Sequence, residues 1–305
     1  MGNSSGNLNS SSTADQVAEH YNVDLTDKVA LVTGSNVGIG FETVRVLVKH
    51  HARVIMACRN LDKAREAAAK IKELIPEACI DVSELDLASL ASVRRCATKL
   101  LEEETKIDLL ILNAGIMGVP QGETEDGFER HMGVNHYGHF LFANMLLPLV
   151  KKVPNSRIIS VSSLAHEWGQ VQLDDMKFEK RKYGWMAAYG ASKTANILFT
   201  VELQRQLAEE GSTTTINALM PGVVRTNLFR EFGIFQLAMS LLPFTSKTPN
   251  QGAATTMYCA CAPELRGVGG NYYENCKLTT SKPYTTDPQL AKDFWALSKK
   301  MVGLE

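Results

Sequence analysis

A chain of 305 residues, 45% hydrophobic and 21% charged, has the makeup of a globular protein and the length for one large α/β core. Its formal net charge of −1, with no Lys/Arg block gathered into a stripe, argues against nucleic acid as a partner. The seven histidines form no His-Glu-x-x-His pattern and Cys259 and Cys261 are too close-spaced for a usual zinc pair, so no metal site is expected.

Residues 1–12 are nearly all Gly, Asn and Ser and are expected to be disordered. Met1 to Gly6 opens like a myristoylation signal but has Gly6 where Ser or Thr belongs. Thr13 and Gln16 have capping-box spacing ahead of a short amphipathic helix to His20, so residues 13–26 read as a lead-in. An apolar run at 29–33 then reads as a buried strand that stops at a glycine-spaced turn and restarts as a helix at 41–48. Strands follow at 53–58, 80–85, 107–112, 157–162, 214–219 and around 271–273. Helices fall between them at 61–74, 89–104, 134–150, 188–209 and 249–260, and a last one closes the chain at 287–302. Such alternation predicts an α/β fold: a doubly wound, Rossmann-type parallel sheet with helices on both faces. No repeat or Pro-rich linker interrupts residues 27–305, which are expected to form a single domain. Six scattered cysteines, mostly in apolar runs, together with a start that has no signal-peptide core, read as buried thiols in a reducing compartment.

The strand ends carry the chemistry, as expected where ligands bind beyond the carboxyl edge of such a sheet. The segment Gly34, Ser35, Asn36, Val37, Gly38, Ile39, Gly40 lets the backbone turn sharply and lets a pyrophosphate approach the amides of a helix N-terminus. Its first two glycines stand one residue further apart than in the common fingerprint, so a glycine-rich turn of another α/β protein is an equal reading of these residues alone. After the second strand, Arg59 stands where an enzyme choosing a free ribose 2′-hydroxyl would show an acid. A guanidinium there can pair with a 2′-phosphate, or be no more than an exposed strand-end arginine. Asp86 and Leu87 after the third strand are placed to meet the adenine, although Asp86 is equally a candidate N-cap. Asn113, Ala114 and Gly115 end the fourth strand with residues small enough for a cofactor to lie against the backbone, as a tight turn also would. Tyr189 and Lys193, four residues apart on one helix face, bring an ammonium near a phenol whose ordinary pKa is about 10. A nearby cation favours phenolate, which makes Tyr189 a plausible acid/base, although such a pair also arises by chance. Ser162 and Ser163 end the fifth strand, and Asn135 adds a polar group to an apolar helix.

From about residue 27 to its end the chain resembles the short-chain dehydrogenase/reductase superfamily. The resemblance rests on Thr33-Gly34 with Gly38 and Gly40, Asn113-Ala114-Gly115, Asn135, the serine pair, Tyr189 with Lys193, and Pro221 to Thr226. Ala57 to Asn60, Val134 to Phe140, Val161 to His166 and Ser192 to Asn196 look like the retinol dehydrogenase and WW-domain oxidoreductase branch. The resemblance implies a nicotinamide cofactor, with NADP(H) favoured over NAD(H) by Arg59. It implies that Tyr189 is the general acid or base, that Lys193 lowers its pKa and bonds the nicotinamide ribose, and that Ser163, rather than Ser162, orients the substrate oxygen. Asn135 would hold a water linking Lys193 to solvent, and Pro221, Gly222, Val224 and Thr226 would pack by the nicotinamide end. No membrane helix and no WW module is read ahead of the fold, so a cytoplasmic enzyme is expected. A non-catalytic dinucleotide-binding scaffold is the alternative; its signature, loss of Tyr, Lys or Ser, is not seen.

Two stretches speak to the substrate. Residues 167–188, with Trp168 and Trp185, lengthen the gap between serine and tyrosine and are expected to form a wall over it. Residues 228–244, within a lid segment of about 225–247, are far more apolar than a surface needs, yet shorter than the roughly 20 residues that cross a bilayer. They suit a cover over a lipophilic carbonyl or alcohol, a peripheral membrane contact, a subunit contact or a core helix. Oligomeric state stays open; the resemblance offers a homodimer through helices around 135–150 and 190–209.

Overall fold

The computed structural model describes residues 7–224 and 246–304. Its centre is one eight-stranded sheet: β1 (Val29–Thr33), β2 (Arg53–Cys58), β3 (Ile80–Glu84), β4 (Leu109–Leu112), β5 (Arg157–Val161), β6 (Thr215–Met220), β7 (Tyr272–Glu274) and β8 (Lys277–Thr279). The spatial order is β3-β2-β1-β4-β5-β6-β7-β8, parallel throughout except for β8, which pairs antiparallel with β7. β8 closes a hairpin the sequence reading does not contain, because three residues with exposed Lys277 and Leu278 carry no hydrophobic pattern.

Both sheet faces are buried, and alternate side chains of each strand serve opposite cores. Ala30 and Val32 of β1 join the core beneath α2 (Gly38–Lys49), α3 (Leu61–Leu74) and the helix Pro249–Cys261. Leu31 joins the core beneath α4 (Leu90–Glu103), the helix Gly138–Lys151, and the long helix Trp185–Glu209. In chain order after α4 come the single turn α5 (Arg130–Met132), α6 (Gly138–Lys151), α7 (Trp185–Glu209), α8 (Pro249–Cys261) and α9 (Pro288–Val302). Polar residues set the helix starts: Asn60 caps α3, Ser89 caps α4, and Asp287 caps α9 ahead of its Pro288. α9 lies on α6 and α7, where Trp295 stacks on Phe199 at 5.8 Å and meets Phe140 edge-on at 4.8 Å. One side of each helix offered above for subunit pairing therefore carries a helix of the same chain.

Three expectations are corrected. The lead-in α1 (Ala14–His20) has its capping box, but the segment before it is ordered from residue 7: Asn9 to Ser12 form a turn, Leu8 packs on the core, and the Ser11 carbonyl accepts from Gln251. The helix expected at 134–150 starts at Arg130, and α5 runs into α6 through a π-helical turn, Gly133–Tyr137. The helix after the glycine turn begins at Gly38, so Gly38 and Gly40 belong to its first turn. Of the cysteines, Cys58, Cys96, Cys259 and Cys276 are buried, whereas Cys79 is exposed and Cys261 half-buried.

Candidate active site

Strand order reverses between β1 and β4, so their carboxyl ends open a crevice between helices that leave in opposite directions. The glycine turn occupies the β1 side. Gly34 has φ +62°, and a Cβ there would stand 2.7 Å from the Cβ of Ala114. A Cβ on Gly40 would stand 2.6 Å from the carbonyl oxygen of Gly34. These positions need glycine because α2 is pressed against the β1 and β4 turns, leaving no space for a side chain. The N-cap of α2 is Val37, which supplies no side-chain hydrogen bond, so the first amides of the helix face the crevice with their partial positive charge. Ser35 turns inward, its hydroxyl donating to the Val32 carbonyl. Asn36 is half-buried and Val37 exposed at the rim.

Asn113 locks the two turns together, its Nδ2 donating to the carbonyls of Thr33 (2.9 Å) and Gly34 (3.2 Å). Thr33 Oγ1 accepts from the amides of Asn113 and Ala114 and lies 2.8 Å from His139 Nε2. His139 Nδ1 is 3.1 Å from the Asn135 carbonyl, which can only accept, so Nδ1 carries the hydrogen and Nε2 receives the Thr33 hydroxyl. Burial pushes this imidazole down to about 4, which keeps it neutral. Asn135 is fully buried: its Oδ1 accepts from the Ile116 amide, and its Nδ2 donates to the Ile116 carbonyl and to Ser192 Oγ. The Asn135 side chain thus clamps the β4 turn to α7. Sequence reasoning gave no site role to Thr33, His139 and Ser192; a histidine in the apolar 134–150 pattern was the available signal for His139.

Opposite this turn, β5 and α7 bring Ser163, Tyr189 and Lys193 together. Ser162 points into the protein and donates to the Lys193 carbonyl at 2.8 Å. Ser163 is half-buried and faces the Tyr189 phenol, whose pKa it lowers. Lys193 is buried, donates to the Val161 carbonyl at 3.0 Å, and has its Nζ 5.6 Å from the centroid of the Tyr189 ring. Gly115 is narrow enough to admit it: a Cβ there would stand 3.4 Å from Nζ and 3.3 Å from Asn135 Oδ1. The electrostatics differ from the expectation that Lys193 holds the phenol below its usual pKa. Burial raises Tyr189 to about 12 and lowers Lys193 to about 8. In so dry a site desolvation dominates, and each group is pushed toward its neutral form.

Arg59 is exposed at the end of β2 and makes no ion pair among the described residues, while its neighbour Asn60 caps α3. Asp86 is not the N-cap of α4, a place Ser89 takes; its carboxylate instead accepts from the Ala88 amide at 2.9 Å. Leu87 is buried against Gly138, where a Cβ would stand 3.0 Å from the Leu87 Cβ. Beyond β6, Gly222 has φ +89°, and the Val224 side chain packs against Gly252 of α8, which also touches Ile39. The Pro221–Val224 segment is thereby joined to the glycine turn. Thr226 and the apolar stretch 228–244, with nearly all of the expected lid at 225–247, lie outside the described residues.

A family model for short chain dehydrogenases matches residues 28–235. Retinol dehydrogenase 14 of Mus musculus is 44% identical over 291 residues, covering 91% of this chain and 86% of that protein. Polyprenol dehydrogenase of Homo sapiens is 41% identical over 284 residues, covering 91% and 86%. Among solved structures, an uncharacterized protein from Mycobacterium paratuberculosis superposes with a TM-score of 0.76 at 34% identity, over 92% of this chain and 95% of that one. This chain belongs to the short-chain dehydrogenase family. It is an oxidoreductase of the retinol dehydrogenase branch, a family that acts on alcohols or carbonyls with a nicotinamide dinucleotide.

The dehydrogenase's crevice fits such a dinucleotide: its glycines leave backbone exposed where any Cβ would collide, and the α2 amides have no side-chain cap. Replacing Gly40 by Ala is expected to destabilise the protein by about 1–3 kcal/mol, since the added methyl meets backbone that cannot yield. Thermal melting with and without dinucleotide checks this, and a variant as stable as the parent would remove the close-approach reading. The dehydrogenase also carries a buried pair beside its tyrosine. Glu129 Oε1 accepts from His131 Nδ1 at 2.8 Å, and the His131 ring stands edge-on to the Tyr189 ring at 6.0 Å. Tyr183 of the 167–188 segment reaches Glu129 at 3.4 Å, and the Gly169 carbonyl accepts from Thr194 of α7. That segment is therefore tied to the walls of the site at both ends.

Proposed function

We propose that this short-chain dehydrogenase transfers a hydride between NADP(H) and the carbonyl or alcohol carbon of a lipophilic substrate, with Tyr189 as acid/base. The observation that carries the reading is the convergence of Ser163, Tyr189 and Lys193 opposite the glycine turn. When bound, the nicotinamide supplies the hydride chemistry. Ser163 Oγ accepts from the Ala165 amide and directs its own hydrogen at the Tyr189 oxygen, so a substrate oxygen seated between the two hydroxyls would take a hydrogen bond from each. Tyr189, protonated across neutral pH, gives its phenolic proton to that oxygen in reduction; in oxidation the phenolate takes one back. Lys193 would bond the nicotinamide ribose, and the amides of residues 34–40 would hold the pyrophosphate. Asn135 would organise proton exchange behind Lys193 through the turn it clamps.

The preference for the phosphorylated cofactor is supported by Arg59, which is unpaired among the described residues and has no acid beside it in the sequence. A lipophilic substrate is supported by relatives named for retinol and polyprenol, by the apolar composition of 228–244, and by the exposed Val37, Trp168, Met186 and Val223. No helix among the described residues is long and apolar enough to cross a membrane. Fluorescence titration with NADPH and NADH tests the cofactor. NADPH is expected to bind about 10- to 100-fold tighter, the worth of charge-assisted hydrogen bonds to the 2′-phosphate. Arg59→Asp is expected to reverse the preference by repelling the phosphate and accepting from the free hydroxyl. An unchanged affinity ratio would reject Arg59 as the selector, and binding of neither dinucleotide would favour a scaffold.

A further inference from the structure

Ser163 caps the 3-10 turn Leu164–Trp168, and its main chain is held by the third residue of that turn. The Ser163 carbonyl accepts from the His166 amide at 3.1 Å and lies 2.8 Å from His166 Nδ1. A carbonyl only accepts, so Nδ1 carries the hydrogen. In the neutral ring Nε2 is then a lone pair, and it receives the main-chain N–H of Lys282 at 3.4 Å. Burial, which leaves the residue 2% exposed, lowers the imidazole pKa and keeps the ring neutral. The His166 carbonyl accepts from the Tyr284 hydroxyl and lies 3.2 Å from Thr194 Oγ1, next to Lys193 on α7, whose hydrogen it shares with the nearer Gly169 carbonyl at 2.6 Å. The Tyr272 hydroxyl lies 3.4 Å from Nδ1. The His166 ring thus stands between Ser163, Tyr272 of β7 and Lys282 beyond β8, while its main-chain carbonyl faces α7 and Tyr284.

We propose that His166 is a positioning residue for Ser163, with Nδ1 fixing the serine main chain and Nε2 docking residues 282–285 over it. The proposal rests on the reading of Ser163 as the hydroxyl that orients the substrate oxygen. The two nitrogens do different jobs, so protonation affects them differently. An imidazolium keeps its bond to Ser163 but turns an N–H toward the N–H of Lys282, and that link is lost. The groups around the ring are Glu167, which favours the charged form, the Lys282 ammonium, which disfavours it and pairs with Glu167 at 3.7 Å, the phenols of Tyr272 and Tyr284, and uncharged Thr194 on α7. Turnover therefore falls on the acid side, as pH drops through the lowered imidazole pKa, while the dinucleotide crevice on the far side of Lys193 is unaffected.

The test compares the full-length protein with His166→Leu and His166→Asn, measuring kcat and KM for a hydrophobic aldehyde, NADPH affinity, melting temperature and kcat against pH. His166→Leu is expected to lower kcat about 10- to 100-fold, the scale of a misplaced reacting group, with NADPH affinity within about twofold of the parent. Asn places an amide donor where Nδ1 stood, so His166→Asn is expected to recover most of that loss and to lack the acid limb. An unchanged kcat in His166→Leu, an acid limb retained in His166→Asn, or losses that simply follow melting temperature and NADPH affinity would overturn the proposal. The tautomer is read independently from imidazole 15N shifts of the unliganded protein, and a hydrogen on Nε2 would also overturn it. Parent protein that has the expected tautomer but neither binds NADPH nor turns over would instead sink the oxidoreductase reading, and the positioning role with it.

Discussion

Tyr189→Phe is expected to lower kcat by about 10²- to 10⁴-fold, the usual contribution of a general acid or base, with dinucleotide affinity nearly unchanged. The ring is only 5% exposed and keeps its edge contact with His131, so its packing survives. What disappears is the phenolic proton that faces the Ser163 hydroxyl. Steady-state kinetics together with fluorescence titration separate the two effects, and unchanged turnover would remove Tyr189 from the chemistry. The direction of the pKa shift adds a signature. With burial holding the phenol up to about 12, alcohol oxidation, which needs phenolate, is expected to climb with pH across the alkaline range. Carbonyl reduction, which uses the phenol, is expected to hold steady near neutrality.

Lys193→Met is expected to abolish activity and yet to raise stability near neutral pH. Lys193 is 3% exposed and burial lowers its pKa from 10.5 to about 8, a difference worth about 3 kcal/mol at roughly 1.36 kcal/mol per unit. Below pH 8 the ammonium is charged in both folded and unfolded chains, and the folded protein bears the whole desolvation cost. Between pH 8 and 10.5 the unfolded chain binds more protons than the folded one, so stability rises with pH and the cost is relieved. Met removes the cost and keeps most of the volume, but gives up the hydrogen bond to Val161. The net gain is therefore about 1–3 kcal/mol at pH 7, shrinking toward pH 10. Chemical denaturation at the two pH values checks it, and a variant less stable than the parent at pH 7 would mean that the bond to Val161 outweighs burial. Such a cost, retained at a reactive position, is what a site built for chemistry rather than for stability carries.

Local pattern determined much of this protein. Apolar runs, glycine punctuation and capping residues such as Asn60 and Ser89 act over a few residues, so strands 29–33 and 53–58 and the helix at 61–74 were legible to the residue. The spacing of Tyr189 and Lys193 put both on one helix face before any fold was known. Other features depend on what a segment meets across space. The π-helical turn at Gly133–Tyr137 follows no propensity in those residues; in it Asn135 must reach both Ile116 and Ser192 while its carbonyl meets His139. β8 exists because β7 offers it an edge. Ser162 and Ser163, equivalent as letters, are told apart by a strand that turns one hydroxyl onto the Lys193 carbonyl and leaves the other facing Tyr189. The direction of the Tyr189 pKa shift was not legible from spacing for the same reason: spacing reports that a cation lies near a phenol, but how much water remains between and around them is set by the packing of β5, α7 and the β4 turn.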